Sequence, residues 1–180
     1  MEKRLVLFDF DGTLTTKDSL WAFLYFTTSR SKVYFELLKN SLSFIKGAIG
    51  LMDKGLIKEK VISGLFKNKS PEALKEAGRI FCESALPQLL HPTVYSKFQE
   101  HLKNGDEVCI VSASLDFWLI PFSETNNCQL ICTNWDYNNA KFNTPNCNNQ
   151  EKVVRIKTNY NLKDFNTIIA YGNSKGDIPM

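Results

Sequence analysis

The stretch VLFDFDGTLT, Val6 to Thr15, sets two aspartates, Asp9 and Asp11, directly behind a run of apolar residues. Carboxylates seldom enter a protein interior unless they are paired or bound to metal. Side chains two apart on a strand share a side, so as the strand ends both carboxylates can face one pocket. Such a pair can hold a cation, or divide the work of nucleophile and proton carrier. Gly12 follows and allows the chain to turn sharply away. Two more apolar runs end in polar groups: CIVSAS reaches Ser112, and TIIAYGNS reaches Asn173, with Asp177 in the next turn. Taken singly, each has a plain structural use, as a turn residue, a strand-end hydroxyl or a helix cap.

These residues matter only if the fold collects them. RLVLFDF, EVCIVSAS, QLICTNWDY and TIIAYGNS read as four strands, the first, second and fourth of them buried, and the segments between them have helical period. Strands separated by helices imply a parallel sheet with crossovers, and such sheets bind ligands outside the carboxyl ends of their strands. The expected fold is an α/β, doubly wound parallel sheet. From about Ser19 to Leu90 the pattern is helical throughout, so residues 18–90 read as an inserted helical cap over a core of 1–17 and 91–180. Ser70 with Pro71 marks one helix start, and Gly105 one helix end. Trp21, Phe23, Phe26, Trp118 and Phe122 are expected in the core, and His91 and His101 in structural roles.

Composition excludes several classes. A chain of 180 residues with 43% hydrophobic content can bury a sizeable core. The net charge of +3 is small and its basic residues are dispersed, which argues against nucleic acid. The five cysteines form no CxxC pair and point to reduced thiols in the cytoplasm; Cys128 and Cys132 lack histidine partners for zinc. The basic N-terminus has its apolar run cut by Asp9 and is no signal peptide. No apolar stretch of about 18 residues is present to span a membrane.

The four segments together resemble the haloacid dehalogenase-like hydrolase superfamily, in its subfamily IB, phosphoserine phosphatase-like branch with a helical cap. DFDGT matches the DxDGT motif, CIVSAS the second motif, EKVVRI the lysine motif and YGNSKGD the acidic fourth motif. The resemblance covers nearly the whole chain. It implies Asp9 as nucleophile, forming an aspartyl-phosphate, and Asp11 as general acid and then base. It implies phosphate contacts from the Gly12 backbone N–H, Ser112 and Lys152. Phosphate monoester hydrolysis can demand up to ~10²¹-fold acceleration, and one oriented donor supplies only about 3–4 kcal/mol. A divalent cation is therefore expected: Mg²⁺, held by Asp9, the Asp11 backbone carbonyl, Asn173 and Asp177. Many relatives carry aspartate where this chain has Asn173, which offers a carbonyl oxygen but no charge.

Asp18, nine positions after Asp9, stands where phosphoserine phosphatases place an acid against the substrate's amino group; it is equally suited to cap the helix behind it. Val33–Met52 carries Phe35, Leu38, Leu42, Ile45 and Ile49 at helical spacing, with Lys39 and Lys46. That stretch is expected to pack within the cap, with peripheral contact to anionic lipid as the less favoured reading. The chain stops after the fourth motif, where a doubly wound sheet ordinarily continues, so the C-terminus reads as cut short. The expected function is Mg²⁺-dependent hydrolysis of a small phosphomonoester. The alternatives are a lipid-linked phosphate such as phosphatidylglycerophosphate, or a non-catalytic domain that binds a phosphorylated ligand or a partner. The sequence does not specify an oligomeric state.

Overall fold

The computed structural model describes residues 2–180. Its strands are β1 (Arg4–Phe8), β2 (Glu107–Leu115), β3 (Gln129–Thr133), β4 (Trp135–Asp136), β5 (Lys141–Phe142) and β6 (Thr167–Tyr171). The main sheet runs β3-β2-β1-β6 with every pair parallel. Alternation along β1 sends Val6 and Phe8 into one apolar layer and Leu5 and Leu7 into the other. The first layer is closed by α6 (Pro92–Lys103), through Phe98, and by α7 (Asp116–Asn126), through Trp118 and Phe122. The second is closed by Ile156 of α8 (Gln150–Asn159). Helices therefore cover both faces, and the doubly wound sheet is as expected.

Two strands differ from expectation. β6 is not a buried strand: it pairs only with β1, and Thr167, Ile168 and Ala170 are exposed. It lies at the sheet edge, where its side chains find few neighbours. The run QLICTNWDY is not one strand either. It breaks at Asn134, whose backbone N–H donates to Thr144 Oγ1. Trp135 then starts a short antiparallel hairpin, β4 with β5, whose Phe142 N–H donates to Glu59 Oε2 in the helical insertion.

The insertion comprises α1 (Ser19–Thr27), α2 (Arg30–Lys39), α3 (Ser41–Ala48), α4 (Lys54–Phe66) and α5 (Pro71–Ser84). Side chains of Asp18, Asp53 and Ser70 accept hydrogen bonds from the first turns of α1, α4 and α5, satisfying donors that helix starts leave open. The chain leaves and re-enters the core side by side: Thr16 N donates to Leu89 O, and His91 N to Leu14 O. Helix α5 sits tightly on α7. A Cβ on Gly78 would lie 1.9 Å from the Phe117 carbonyl oxygen. Pro121, four residues on, has no N–H for that carbonyl. Phe23 joins the two bodies, with its ring against Phe66, Phe81, Phe117 and Trp118.

The insertion also corrects the packing expectations. Val33–Met52 is two helices, parted at Asn40, whose Nδ2 donates to Glu36 O and Oε1. Asparagine competes in this way for backbone partners. Phe35, Leu38, Leu42, Ile45 and Ile49 do not pack within the cap; they are 59–72% exposed. Trp21 and Phe26 are also outside the core, whereas Phe23, Trp118 and Phe122 are buried. His101 bridges Asp106 Oδ2 and the Tyr171 hydroxyl, tying α6 to β6. Among the described residues, no helix is long and apolar enough to cross a membrane.

One buried acid outside the rim gives the fold a pH dependence. Asp116 accepts from Trp135 N through Oδ2, while Oδ1 has no partner among the described residues. Burial pushes its carboxyl up to about 6, from 3.8. The folded state thus prefers the neutral acid, and the stability this preference supplies below about pH 4 is lost as pH rises through about 6. Asp116→Asn is expected to unfold at higher urea than the parent at pH 7, by about 1–3 kcal/mol, and to show no gain at pH 4. An equal difference at both pH values would contradict this.

Candidate active site

The site begins where β1 ends. Asp9 N donates to Tyr171 O at 2.9 Å, extending the β1–β6 ladder by one residue and placing Asp9 on the carboxyl rim. The chain then turns through Phe10–Leu14, with Gly12 at φ +78. A Cβ there would meet Asn173 Nδ2 at 2.1 Å, so Gly12 serves both the turn and the close approach of the fourth motif. Its N–H, expected to face phosphate, donates to Thr15 Oγ1 at 3.3 Å.

Lys152 is the hub. It stands in the first turn of α8, 1% exposed, and its Nζ donates to Asp9 Oδ1 and Asp177 Oδ1, each at 2.6 Å. Asp177 Oδ2 accepts from the Ser174 hydroxyl and backbone N–H. Both Asp177 oxygens thus accept from protein donors, which fix the carboxylate beside Lys152 and leave further lone pairs free. Asp9 Oδ2 accepts from Thr13 Oγ1 at 3.2 Å. Burial is the largest influence on Asp9 and raises its carboxyl, with Lys152 opposing. Burial alone would lower Lys152, but Asp9 and Asp177 outweigh it and keep the ammonium charged. Burial works against charged Asp177 too, yet Lys152 and Ser174 hold it below the usual carboxylate range.

Asp11 belongs to a second cluster. Its Oδ1 accepts from Ser19 N at 2.7 Å, and its Oδ2 accepts from the Ser114 hydroxyl. Ser114 N in turn donates to Ser112 Oγ at 3.0 Å. The β2–β3 register shifts between Ser112 and Leu115, a bulge that re-aims the strand end at the rim. Ser112 and Ser114 are each 1% exposed. Asp18 caps α1, accepting from Leu20 N at 2.9 Å. The expected residues therefore fall into two groups at one rim: Asp9, Lys152 and Asp177, and Asp11 with Ser112. Asn173 lies over Gly12 between the chain turns.

Sequence reasoning missed Thr13, Ser114 and Lys58. Ser114 had a signal, since it stands two residues beyond Ser112 on the same strand. Thr13 lies inside the DFDGT motif itself. Lys58 had none: it comes from mid-α4, and its Nζ donates to Ala113 O at 2.7 Å, between the two serines.

Among the described residues, no three His, Cys, Asp or Glu side chains converge to hold a metal ion. The groups that would hold a cation here all offer oxygen: the Asp9 carboxylate, the Asp11 backbone carbonyl, the Asn173 amide and the Asp177 carboxylate. That set suits Mg²⁺, which takes one or two carboxylates and completes its shell with water and phosphate.

The parallel α/β core thus brings an aspartate pair, a buried lysine and a serine to one carboxyl rim beside a helical insertion. The chain belongs to the haloacid dehalogenase-like hydrolase family, whose model matches residues 6–180. Protein CicA of Caulobacter vibrioides is 29% identical over 185 residues, covering 99% of this chain and 82% of CicA. A crystal structure of a protein of unknown function from Bordetella pertussis Tohama I is 26% identical with a TM-score of 0.79, covering 99% of this chain and 86% of that one. A phosphoserine phosphohydrolase-like protein from Francisella tularensis shares the fold, with a TM-score of 0.61 at 21% identity over 99% of this chain and 81% of its own.

Proposed function

We propose that this chain is a Mg²⁺-dependent phosphatase that hydrolyses a small phosphomonoester through an aspartyl-phosphate on Asp9. The observation that carries the reading is the buried Asp9 held by Lys152, itself braced by Asp177. In the first step an Asp9 oxygen attacks phosphorus, the bond to the ester oxygen breaks, and Asp11 gives that oxygen a proton. In the second, Asp11 takes a proton from water, the water oxygen attacks phosphorus, and the Asp9–phosphorus bond breaks to release phosphate. Lys152 offsets the negative charge gathering on Asp9 and the phosphoryl oxygens, and Ser112 donates to one of them. Ser114 and the Ser19 N–H orient the Asp11 carboxylate. A bound Mg²⁺ would supply charge neutralisation at the phosphoryl group. Five free thiols fit a cytoplasmic setting.

The test is hydrolysis of p-nitrophenyl phosphate against Mg²⁺ concentration. Turnover is expected with Mg²⁺ and a loss of at least about 10²-fold with chelator, the scale at which removing one electrostatic element acts. Asn173→Asp, which adds an anion to the donor set, should lower the Mg²⁺ concentration for half-maximal rate. Hydrolysis indifferent to chelator, or a half-maximal concentration unmoved by Asn173→Asp, would overturn the metal assignment.

A second reading places the reaction at a membrane surface. It is favoured by the exposed apolar faces of α2 and α3, flanked by the exposed cations Arg30, Lys32, Lys39 and Lys46. Co-sedimentation with phosphatidylglycerol vesicles at low salt is expected, lost in the double variant Leu38→Glu, Ile45→Glu. Absence of binding by the parent would remove this reading and leave the first intact.

A further inference from the structure

The helical insertion contains a cavity of about 470 Å³, within the range of small-molecule sites. Helices α1 to α4 line it, and Trp21, Leu24, Leu37, Phe44, Ile57 and Val61 form its apolar walls. Its inner end adjoins the catalytic rim. Leu20, which lines it, follows the Ser19 whose N–H holds Asp11. Lys58 also lines it, and its Nζ reaches Ala113 O between Ser112 and Ser114. The space therefore runs from the Lys58 side chain, whose head lies against β2 between the two rim serines, outward into apolar walls. Toward its outer rim, Trp21 and Phe44 are partly exposed.

We propose that this cavity seats the apolar part of the leaving group, so that the preferred substrate is a phosphomonoester of an alcohol bearing a hydrocarbon chain. The inference rests on the phosphatase reading and names its substrate class. Its grounds are the polarity of the space. A polyol or amino-acid leaving group entering it would lose water and find few hydrogen-bond partners, a costly exchange. A hydrocarbon chain gains with each methylene buried. The Lys58 stem completes the wall while its head stays by the anionic end, as long cationic side chains commonly do. Lys58 is a positioning residue here, and the reacting groups remain those of the rim.

The experiment is kcat/KM for ethyl, butyl, hexyl and octyl phosphate, all below micelle formation and with Mg²⁺. A rise of about two- to fourfold per methylene is expected, the scale of burying one CH₂. Leu37→Trp on α2 and Val61→Phe on α4 each fill the cavity; each should flatten the series while ethyl phosphate changes by no more than about twofold. If the parent hydrolyses ethyl phosphate but the series is flat, the cavity inference fails and the phosphatase reading stands. If no ester turns over, the phosphatase reading fails. Calorimetric binding of octylphosphonate against ethylphosphonate to the parent then still decides the cavity: tighter octyl binding by at least about tenfold supports it, and equal affinity overturns it.

Discussion

Asp9→Asn is expected to reduce turnover of any phosphomonoester by at least about 10⁴-fold, on the scale seen when a covalent nucleophile is removed. The amide cannot form the acyl-phosphate, and every later step depends on that bond. The fold should survive. Asparagine keeps an oxygen for Thr13, and Lys152 keeps Asp177 as partner. The thermal midpoint should therefore stay within a few degrees of the parent's, as for a change of about 1 kcal/mol or less in a chain of this size. Retention of more than a few per cent of activity in a folded variant would remove Asp9 from the nucleophile's role.

Lys152→Met is expected to cost stability as well as activity. The ammonium, 1% exposed, bridges two buried carboxylates. Removing it leaves Asp9 and Asp177 facing each other in a medium that solvates neither. Breaking a buried pair from one side costs about 3–5 kcal/mol. The loss should depend on pH. Lys152 contributes to holding Asp177 below its ordinary range, so in the parent that stabilisation is present above the unfolded carboxylate pKa and fades as pH falls. In the variant both carboxylates can escape repulsion by taking up protons. Urea unfolding should thus show a larger gap between parent and variant at pH 7 than at pH 4. A gap below about 1 kcal/mol at pH 7 would mean the bridge is not the brace described here.

The parallel core was legible because its signals are local. Apolar runs of strand length alternate with helical period, and Asp9, Ser112 and Asn173 fall where those runs stop. The crossover topology then brings them to one rim without further information. The Lys152–Asp177 pair was not legible, because it depends on how Lys152, 25 positions earlier, enters from α8. The Gly12–Thr15 contact was not legible for a similar reason: the turn folds back so that Thr15, three residues on, reaches the amide. The outward face of α2 and α3 was misread because helical spacing shows that a stripe exists and not what it faces. Asn40 splits the stretch, and the helices on either side turn Phe35, Leu38, Leu42 and Ile45 away from the core. Lys58 and the cavity it borders arise from four helices meeting, which no single segment encodes.

The central claim is that the phosphoryl group passes through Asp9. It is tested most directly by quenching the enzyme in acid during turnover of p-nitrophenyl phosphate, reducing with borohydride and mapping the peptides. Borohydride converts an aspartyl-phosphate, but not a free carboxylate, to homoserine. The expected result is homoserine at position 9 in the parent, dependent on substrate and absent from Asp9→Asn. Homoserine at Asp11 or Asp177 instead, or a phosphoryl group recovered on a serine or lysine, would contradict the account.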